Sequence, residues 1–297
     1  MKQQICENEK VFITEGFQQG IRRDGRGPLD HRSYKINLGT IPHAFGSASL
    51  MFGEEEVQII CAIKADLQKP LPSEPKKGQI KFHLESSQTG SSLFTREEQS
   101  EIIKNRLLNI LYTLYGNIID REELNVFEGQ FSWLLNVDIL VMEELSFQQL
   151  DYIGLAIRSA FLDFQLPAVN ATLNNNTGKI EVGLVEEIYE DQDNTDKLER
   201  LRSAAKAPFL FSVGFIRHEV QDIVGFDADD FEIQCFDQIL HISVDSNLRI
   251  HGMEQSKGNS IQQGLMFSKW LTSGNLSKIL KPKLIEFERM SSKLISY

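Results

Sequence analysis

The sequence predicts an α+β fold built as two related βα units, on three observations. Apolar residues alternate with period two in some stretches and recur every three to four residues in others. A seam rich in asparagine and acid, Asn174–Asn176 and then Glu186–Arg202, divides the chain. A strand-strand-helix order precedes that seam and recurs after it, which suggests an internal duplication.

Residues 9–20 read as a short amphipathic helix with Val11, Phe12, Ile13 and Phe17 available to one face. The run Arg22-Arg23-Asp24-Gly25-Arg26-Gly27-Pro28 forms turns and ends it. At Tyr34 the period changes, because Tyr34, Ile36 and Leu38 alternate with polar residues as in a half-buried strand. Ser47–Phe52 and Val57–Ala65 follow as a hairpin around Gly53-Glu54-Glu55-Glu56. Three prolines make Lys69–Lys77 a loop, and Ile80–Leu84 is a strand.

Glu97–Tyr115 carries a helical stripe of Ile102, Ile103, Leu107, Ile110, Leu111, Leu114 and Tyr115. Glu97, Glu98 and Glu101 sit at its positive end. Trp133, Leu135, Val137, Ile139 and Val141 alternate through a long core strand, Phe131–Met142. A helix over Leu150–Phe164 stops before Pro167, and Val169–Leu173 fits one more strand. Beyond the seam, strands fit Pro208–Ile216, Glu219–Gly225, Gln238–Val244 and Leu248–Gly252, with a turn at Asp245-Ser246-Asn247. A helix fits Ser260–Leu271, and a basic helical tail closes the chain. The boundaries expected are 1–28 for the N-terminal helix and turn, 29–175 for the first unit, 176–206 for an acidic linker, and 207–297 for the second unit.

A chain of 297 residues with 41% apolar and 25% charged residues buries a core of its own. At this length roughly 75% of the unfolded surface is buried, so no disulfide or metal is needed. Cys6, Cys61 and Cys235 are too far apart in sequence for a metal site and read as reduced thiols. Met1–Lys10 lacks the apolar centre of a signal peptide, and no stretch approaches the ~20 apolar residues of a membrane span. The expectation is a soluble intracellular protein without membrane contact. The net charge is −11, with a dense patch at Glu186, Glu187, Glu190, Asp191, Asp193 and Asp196 read as a solvated loop. Phosphate contacts dominate nucleic-acid affinity, so such a chain would meet RNA only through a local basic spot.

An ordered set of short stretches goes further. Val11-Phe12-Ile13-Thr14-Glu15-Gly16, then Arg23-Asp24-Gly25-Arg26 with Asp30-His31-Arg32, resembles the opening of RNase PH-like subunits of the eukaryotic RNA exosome. Gly46-Ser47-Ala48, Gly53 and Lys64-Ala65-Asp66-Leu67 with Pro70 resemble that family's first hairpin. Trp133, Val137-Asp138-Ile139-Leu140 and Leu166-Pro167 continue the likeness. It covers residues 8–170 well and the remainder loosely. The resemblance implies βα units like domain 2 of ribosomal protein S5. It further implies a place among other RNase PH-like exosome subunits in a six-membered ring around an RNA channel. Cap subunits would lie on one side and a hydrolytic nuclease on the other, in nucleus, nucleolus and cytoplasm.

Active members of that family cleave RNA from its 3′ end with inorganic phosphate. They cradle the phosphate with a Gly-Gly-Thr-Arg turn after the long strand and an arginine-rich segment before the earlier helix. An anion needs such free backbone N–H groups and guanidinium forks. Here the corresponding turn is Glu143-Glu144-Leu145-Ser146, with two carboxylates and no glycine. A carboxylate about 4 Å from a phosphate costs on the order of 4 kcal/mol per unit charge at an effective dielectric near 20. The arginine-rich segment is reduced to Arg96, Lys104 and Arg106.

Active enzymes also place two aspartates six residues apart on the second-half hairpin. Asp227, Asp229, Asp230 and Asp237 lie in that stretch, but Phe231 stands six residues before Asp237. Asp227–Asp230 reads as a turn and Asp237 as a strand start. His31, His43, His83, His218, His241 and His251 lack metal-ligand spacing, Ser47 lacks a Gly-x-Ser-x-Gly elbow, and Gly225 and Gly252 are isolated. No catalytic residue, metal or cofactor is expected. Arg22, Arg23, Arg26 and Arg32 form the strongest basic spot, suited to RNA, to an acidic partner or to a structural role. The candidate RNA contacts are Arg96, Lys104, Arg106, Arg22, Arg23 and Arg26. The reading is a non-catalytic exosome ring subunit supporting RNA decay and ribosomal RNA processing. The alternatives are an active phosphorolytic exoribonuclease and an unrelated α+β binding module.

Overall fold

The structure, a computed structural model, describes residues 5–87, 94–167, 169–174, 179–184, 198–199, 201, 203–217, 222–257 and 280–286. For 94–99, 170–174, 179–184, 198–199 and 205 it describes the backbone alone. The helix expected over Ser260–Leu271, the acidic patch Glu186–Asp196 and His218 lie outside these residues.

Helix α1 (Glu7–Gln19) ends at Gly20, whose φ of 78° is the left-handed conformation that glycine adopts at no steric cost. The first sheet comprises β1 (Tyr34–Leu38), β2 (Gly46–Phe52), β3 (Val57–Gln68), β4 (Gln79–Ser86), β5 (Asn125–Phe127) and β6 (Phe131–Val141). Its order is β1-β2-β3-β6-β4, with β5 also paired to β6. Pairing is antiparallel except that β4 runs parallel to β6. A parallel pair needs a crossover, and α2 (Phe94–Tyr115) lies in it.

A 3₁₀ turn, Phe147–Gln149, leads into α3 (Leu150–Asp163). After β7 (Leu166–Pro167), β8 (Val169–Asn174) pairs antiparallel with β9 (Lys179–Leu184), and β10 (Leu198–Glu199) pairs with β7. The expected acidic linker therefore contains strand backbone, and the asparagine run begins at the end of β8. The second sheet holds β11 (Phe209–Ile216), β12 (Ile223–Phe226), β13 (Gln238–Val244) and β14 (Ile250–Lys257) in the order β12-β11-β13-β14, all antiparallel. Between β12 and β13 sits a short helix, α4 (Asp230–Cys235), and residues 280–286 form α5.

Both halves set a hairpin beside a third antiparallel strand, β2-β3-β6 and β12-β11-β13. They diverge at the next strand, which arrives by helical crossover in the first half and by the tight turn at Asp245–Asn247 in the second.

One continuous apolar core joins the halves. Every residue of α3 from Leu150 to Phe161 is buried, because the helix is packed between β1–β3 on one side and β11 on the other. Gly154 permits that approach: a Cβ there would meet Leu210 Cβ at 2.6 Å and Tyr115 Oη at 2.8 Å. The Tyr115 hydroxyl donates to the carbonyls of Gly154 and Pro208, both at 3.2 Å, tying α2 to both halves. Helix α1 buries Ile13 and Phe17 against Ile216, Cys235, Phe236 and Ile239 of the second half. Val11 and Phe12, expected on the same apolar face, stay 52% and 67% exposed. Four apolar residues in this helix do not share one stripe. Among the described residues no helix is long and apolar enough to cross a membrane.

Candidate anion groove and its arginine network

A groove of about 620 Å³ opens where four segments meet: loop 23–33, the β2–β3 turn, the turn after β6, and the start of α4. Its walls carry Arg23, Arg26 and Arg32 against Asp24, Glu54, Glu55, Glu143, Asp229 and Asp230. Carboxylates outnumber guanidiniums, and two of the three arginines are already committed.

Their partner is Asp227. It sits just after β12 in a left-handed conformation, φ 47°, which a non-glycine residue holds only where its surroundings demand it. Arg26 Nη1 donates to Asp227 Oδ2 at 2.8 Å, and Arg32 Nη2 to Oδ1 at 2.6 Å. The Arg32 backbone N–H and the Tyr152 hydroxyl both donate to Oδ2 at 2.7 Å. Burial alone would raise this carboxyl. The bonds and charge of Arg32 overcome that and hold it below the ordinary aspartate value. Arg32 also donates to the Gln148 carbonyl at 2.9 Å and lies over the rings of Phe52 and Tyr152. Those two rings stack at 4.0 Å.

Arg22 is consumed in the same region. Its side chain is fully buried; Nε donates to Glu232 Oε1 at 2.8 Å, and Nη2 pairs with Oε2 of the same carboxylate. Its remaining donors reach the carbonyls of Phe226 at 2.9 Å, Asp227 at 2.8 Å and Asp30 at 3.3 Å. Arg22, one of the RNA contacts expected from the sequence, has its side chain buried and its donors taken up within the chain. Arg26 is similarly occupied, adding a 2.7 Å bond to Asp24 and a 3.0 Å bond to the Asp30 carbonyl. Arg23 alone of this cluster is exposed, with its guanidinium 4.6 Å from the Phe231 ring centroid.

The α2 cations lie elsewhere. Neither Lys104 nor Arg106 lines the groove. Lys104 pairs with Glu101 at 3.4 Å, and Arg106 donates to the Ser256 carbonyl at 3.1 Å while stacking on Phe147. Arg96 lies in the first turn of α2, and its side chain is outside the described residues.

The turn after β6 closes on itself. The side chain of Gln149, wholly buried, accepts from the Ser146 N–H at 3.1 Å. It donates to Glu143 Oε2 at 3.2 Å and to the Glu144 carbonyl at 2.9 Å. An N–H suited to an incoming anion is thus already bonded. Glu143 is half-buried, and its carboxyl is raised by burial first, with Glu55 and Asp230 adding repulsion. Asp229 does not face outward as a free acid: it caps α4, accepting from the N–H groups of Phe231 at 2.8 Å and Glu232 at 2.7 Å. Asp237 precedes β13 and accepts the Arg217 N–H at 2.8 Å. The four aspartates are therefore spread over an ion-pair centre, a helix cap, the groove wall and a strand entrance.

Residues 30–167 match the model of the 3′ exoribonuclease family, domain 1. That stretch is similar to an RNase PH domain. The chain is 30% identical over 157 residues to exosome complex component rrp43 of Schizosaccharomyces pombe, covering 52% of this chain and 57% of that protein. It is 29% identical over 172 residues to exosome complex component Rrp42 of Thermococcus kodakarensis, covering 57% and 61%. The match thus spans little more than half the length of these relatives. A solved Archaeoglobus fulgidus exosome with RNA bound to the active site contains a chain that superposes with a TM-score of 0.63 at 20% identity. That likeness covers 93% of this chain and 98% of the other, so the shared fold extends beyond residues 30–167 into the second half of the chain.

Proposed function

We propose that this chain is a non-catalytic ring subunit of an RNA exosome, supporting 3′-to-5′ RNA degradation and ribosomal RNA processing. The observation that carries this reading is the turn after β6. Where phosphorolytic relatives are expected to cradle phosphate, Glu143 faces the groove and Gln149 occupies the Ser146 N–H. A phosphate entering would meet Glu54, Glu55, Glu143 and Asp230 against one uncommitted guanidinium, that of Arg23. Like charges at this separation cost several kcal/mol in a half-buried site. The chain keeps the family's framework and fills its anion site with acid.

The role left is architectural. Other RNase PH-like subunits would complete a six-membered ring, with cap subunits on one face and a hydrolytic nuclease on the other. Exposed apolar residues such as Val11, Phe12, Ile21 and Ile102 suit burial against neighbours. RNA would pass through the assembled channel, with Arg23, Arg96, Lys104 and Arg106 as the contacts still open to it. Nucleus, nucleolus and cytoplasm are the proposed compartments.

Affinity purification of the tagged chain, followed by incubation of the recovered assembly with RNA and inorganic phosphate, tests this. RNase PH-like chains plus a hydrolytic nuclease are expected, and Glu143→Gly in this chain should leave any phosphate-dependent release of nucleoside diphosphates unchanged. Diphosphate release by the isolated chain would overturn the non-catalytic reading. Recovery without exosome-like partners would overturn the ring assignment.

A further inference from the structure

The grip on Asp227 has the geometry of a ligand site. Arg32 presents a fork: Nη2 donates to Oδ1 at 2.6 Å, and Nε lies 3.1 Å from each oxygen. Arg26 Nη1, the Arg32 backbone N–H and the Tyr152 hydroxyl converge on Oδ2 at 2.8, 2.7 and 2.7 Å. Charged donors aimed at both oxygens of one carboxylate are the strong form of the hydrogen bond.

Acceptor and donors face different spaces. The Asp227 side chain is wholly enclosed and lines a small cavity shared with Phe147, Ser212 and His241. Arg26 and Arg32 keep 15% and 18% exposure, and both line the groove, which Asp227 does not. The donors are thus reached from the groove, while the carboxylate comes to them from the second sheet. It is delivered by a residue held at φ 47°, outside the regions most residues prefer.

We propose that Asp227 is an internal ligand: its carboxylate plugs an anion hole formed by Arg26, Arg32 and Tyr152, and so closes these donors to outside anions. Once that carboxylate is removed, the hole takes a small planar monocarboxylate from the groove. The contacts are the same whether or not the chain joins a ring, so the plug and the exosome reading can fail separately.

Asp227→Gly opens the hole with least disturbance, because glycine adopts a positive φ at no steric cost. The variant leaves two guanidiniums, an N–H and a hydroxyl around a space the size of a carboxyl and its methylene, with no acceptor among them. Formate restores both oxygens, and its lone hydrogen points to where the Cβ stood. Acetate adds a methyl group that must stand off the glycine Cα at contact distance, so it fits less well. Phosphate carries four oxygens into a place shaped for two. An anion held only by the folded chain lowers the unfolding constant about tenfold for each tenfold rise in its concentration above the dissociation constant.

Urea unfolding of the full chain, native and Asp227→Gly, with formate replacing chloride at fixed ionic strength, tests this. The Asp227→Gly midpoint should climb with formate along that one-site slope, climb less with acetate, and stay at its chloride value with phosphate. The native chain, already plugged, should respond to formate as it does to chloride. Isotopically labelled formate should show a bound resonance with Asp227→Gly and lose it when Arg32→Met is added. If Asp227→Gly fails to fold in chloride, its refolding yield becomes the readout, with recovery expected in formate and none in phosphate. A variant indifferent to formate overturns the plug. So does equal rescue by phosphate, or a formate response as large in the native chain.

Discussion

Asp227→Ala should lower the unfolding free energy by about 3–5 kcal/mol, the usual result of removing one partner from a buried ion cluster. The substitution takes away little apolar contact. Its effect comes from what stays behind: Arg26, Arg32 and the Tyr152 hydroxyl all lose the acceptor they converge on. Arg32 is additionally held between Phe52, Tyr152 and the Gln148 carbonyl, so it cannot swing out to water without disturbing the entry to α3. A urea titration reads the loss as a lower midpoint at nearly unchanged slope. The pH sense is fixed too. Because Asp227 is held below its ordinary value, its stabilisation is present above the ordinary aspartate range and is lost as pH falls through the lowered folded value. The difference between native chain and variant should therefore shrink in acid.

Arg22→Ala should cost a similar ~3–5 kcal/mol, for the mirror-image reason. It leaves Glu232 buried without its cation, at the start of a helix of only six residues. Burial already raises the Glu232 carboxyl, and Arg22 brings it part of the way back. Replacing the pair together, Arg22→Met with Glu232→Leu, should recover most of the loss, since a packed apolar pair needs no desolvation of charge. Denaturant midpoints of the two single variants and the double variant measure the coupling. Near-additive losses would show that the pair is not the unit the geometry makes it.

These two contacts mark where the sequence stops being legible. Strands β1, β2, β3, β6 and β13 announce themselves by alternation, and α2 and α3 by apolar spacing, because those signals are local. The total burial of α3 is not local: its polar residues Asp151, Arg158 and Ser159 are buried along with its apolar ones. Short β5 and β10 carry too few residues for a period to emerge, whereas β9 does alternate Ile180, Val182 and Leu184 inside the stretch taken as a linker. Helix α4 did leave a sign, the Asp229…Glu232 capping box, which a run of aspartates disguises as a turn. The arginine cluster shows the same limit. Composition marks it as basic, but only folding brings Glu232 to Arg22 across 210 residues and Asp227 to Arg32 across 195. The acids of the Glu143–Ser146 turn are plain in the sequence. That Gln149 seals the same turn from behind is a matter of side-chain direction and is not.

Direct titration of the full chain with inorganic phosphate, followed by calorimetry, bears most closely on the acid-filled groove. Heats indistinguishable from dilution are the expected outcome, in the native chain and in Glu143→Gln alike. Saturable phosphate uptake by the native chain, displaced by RNA, would contradict the account.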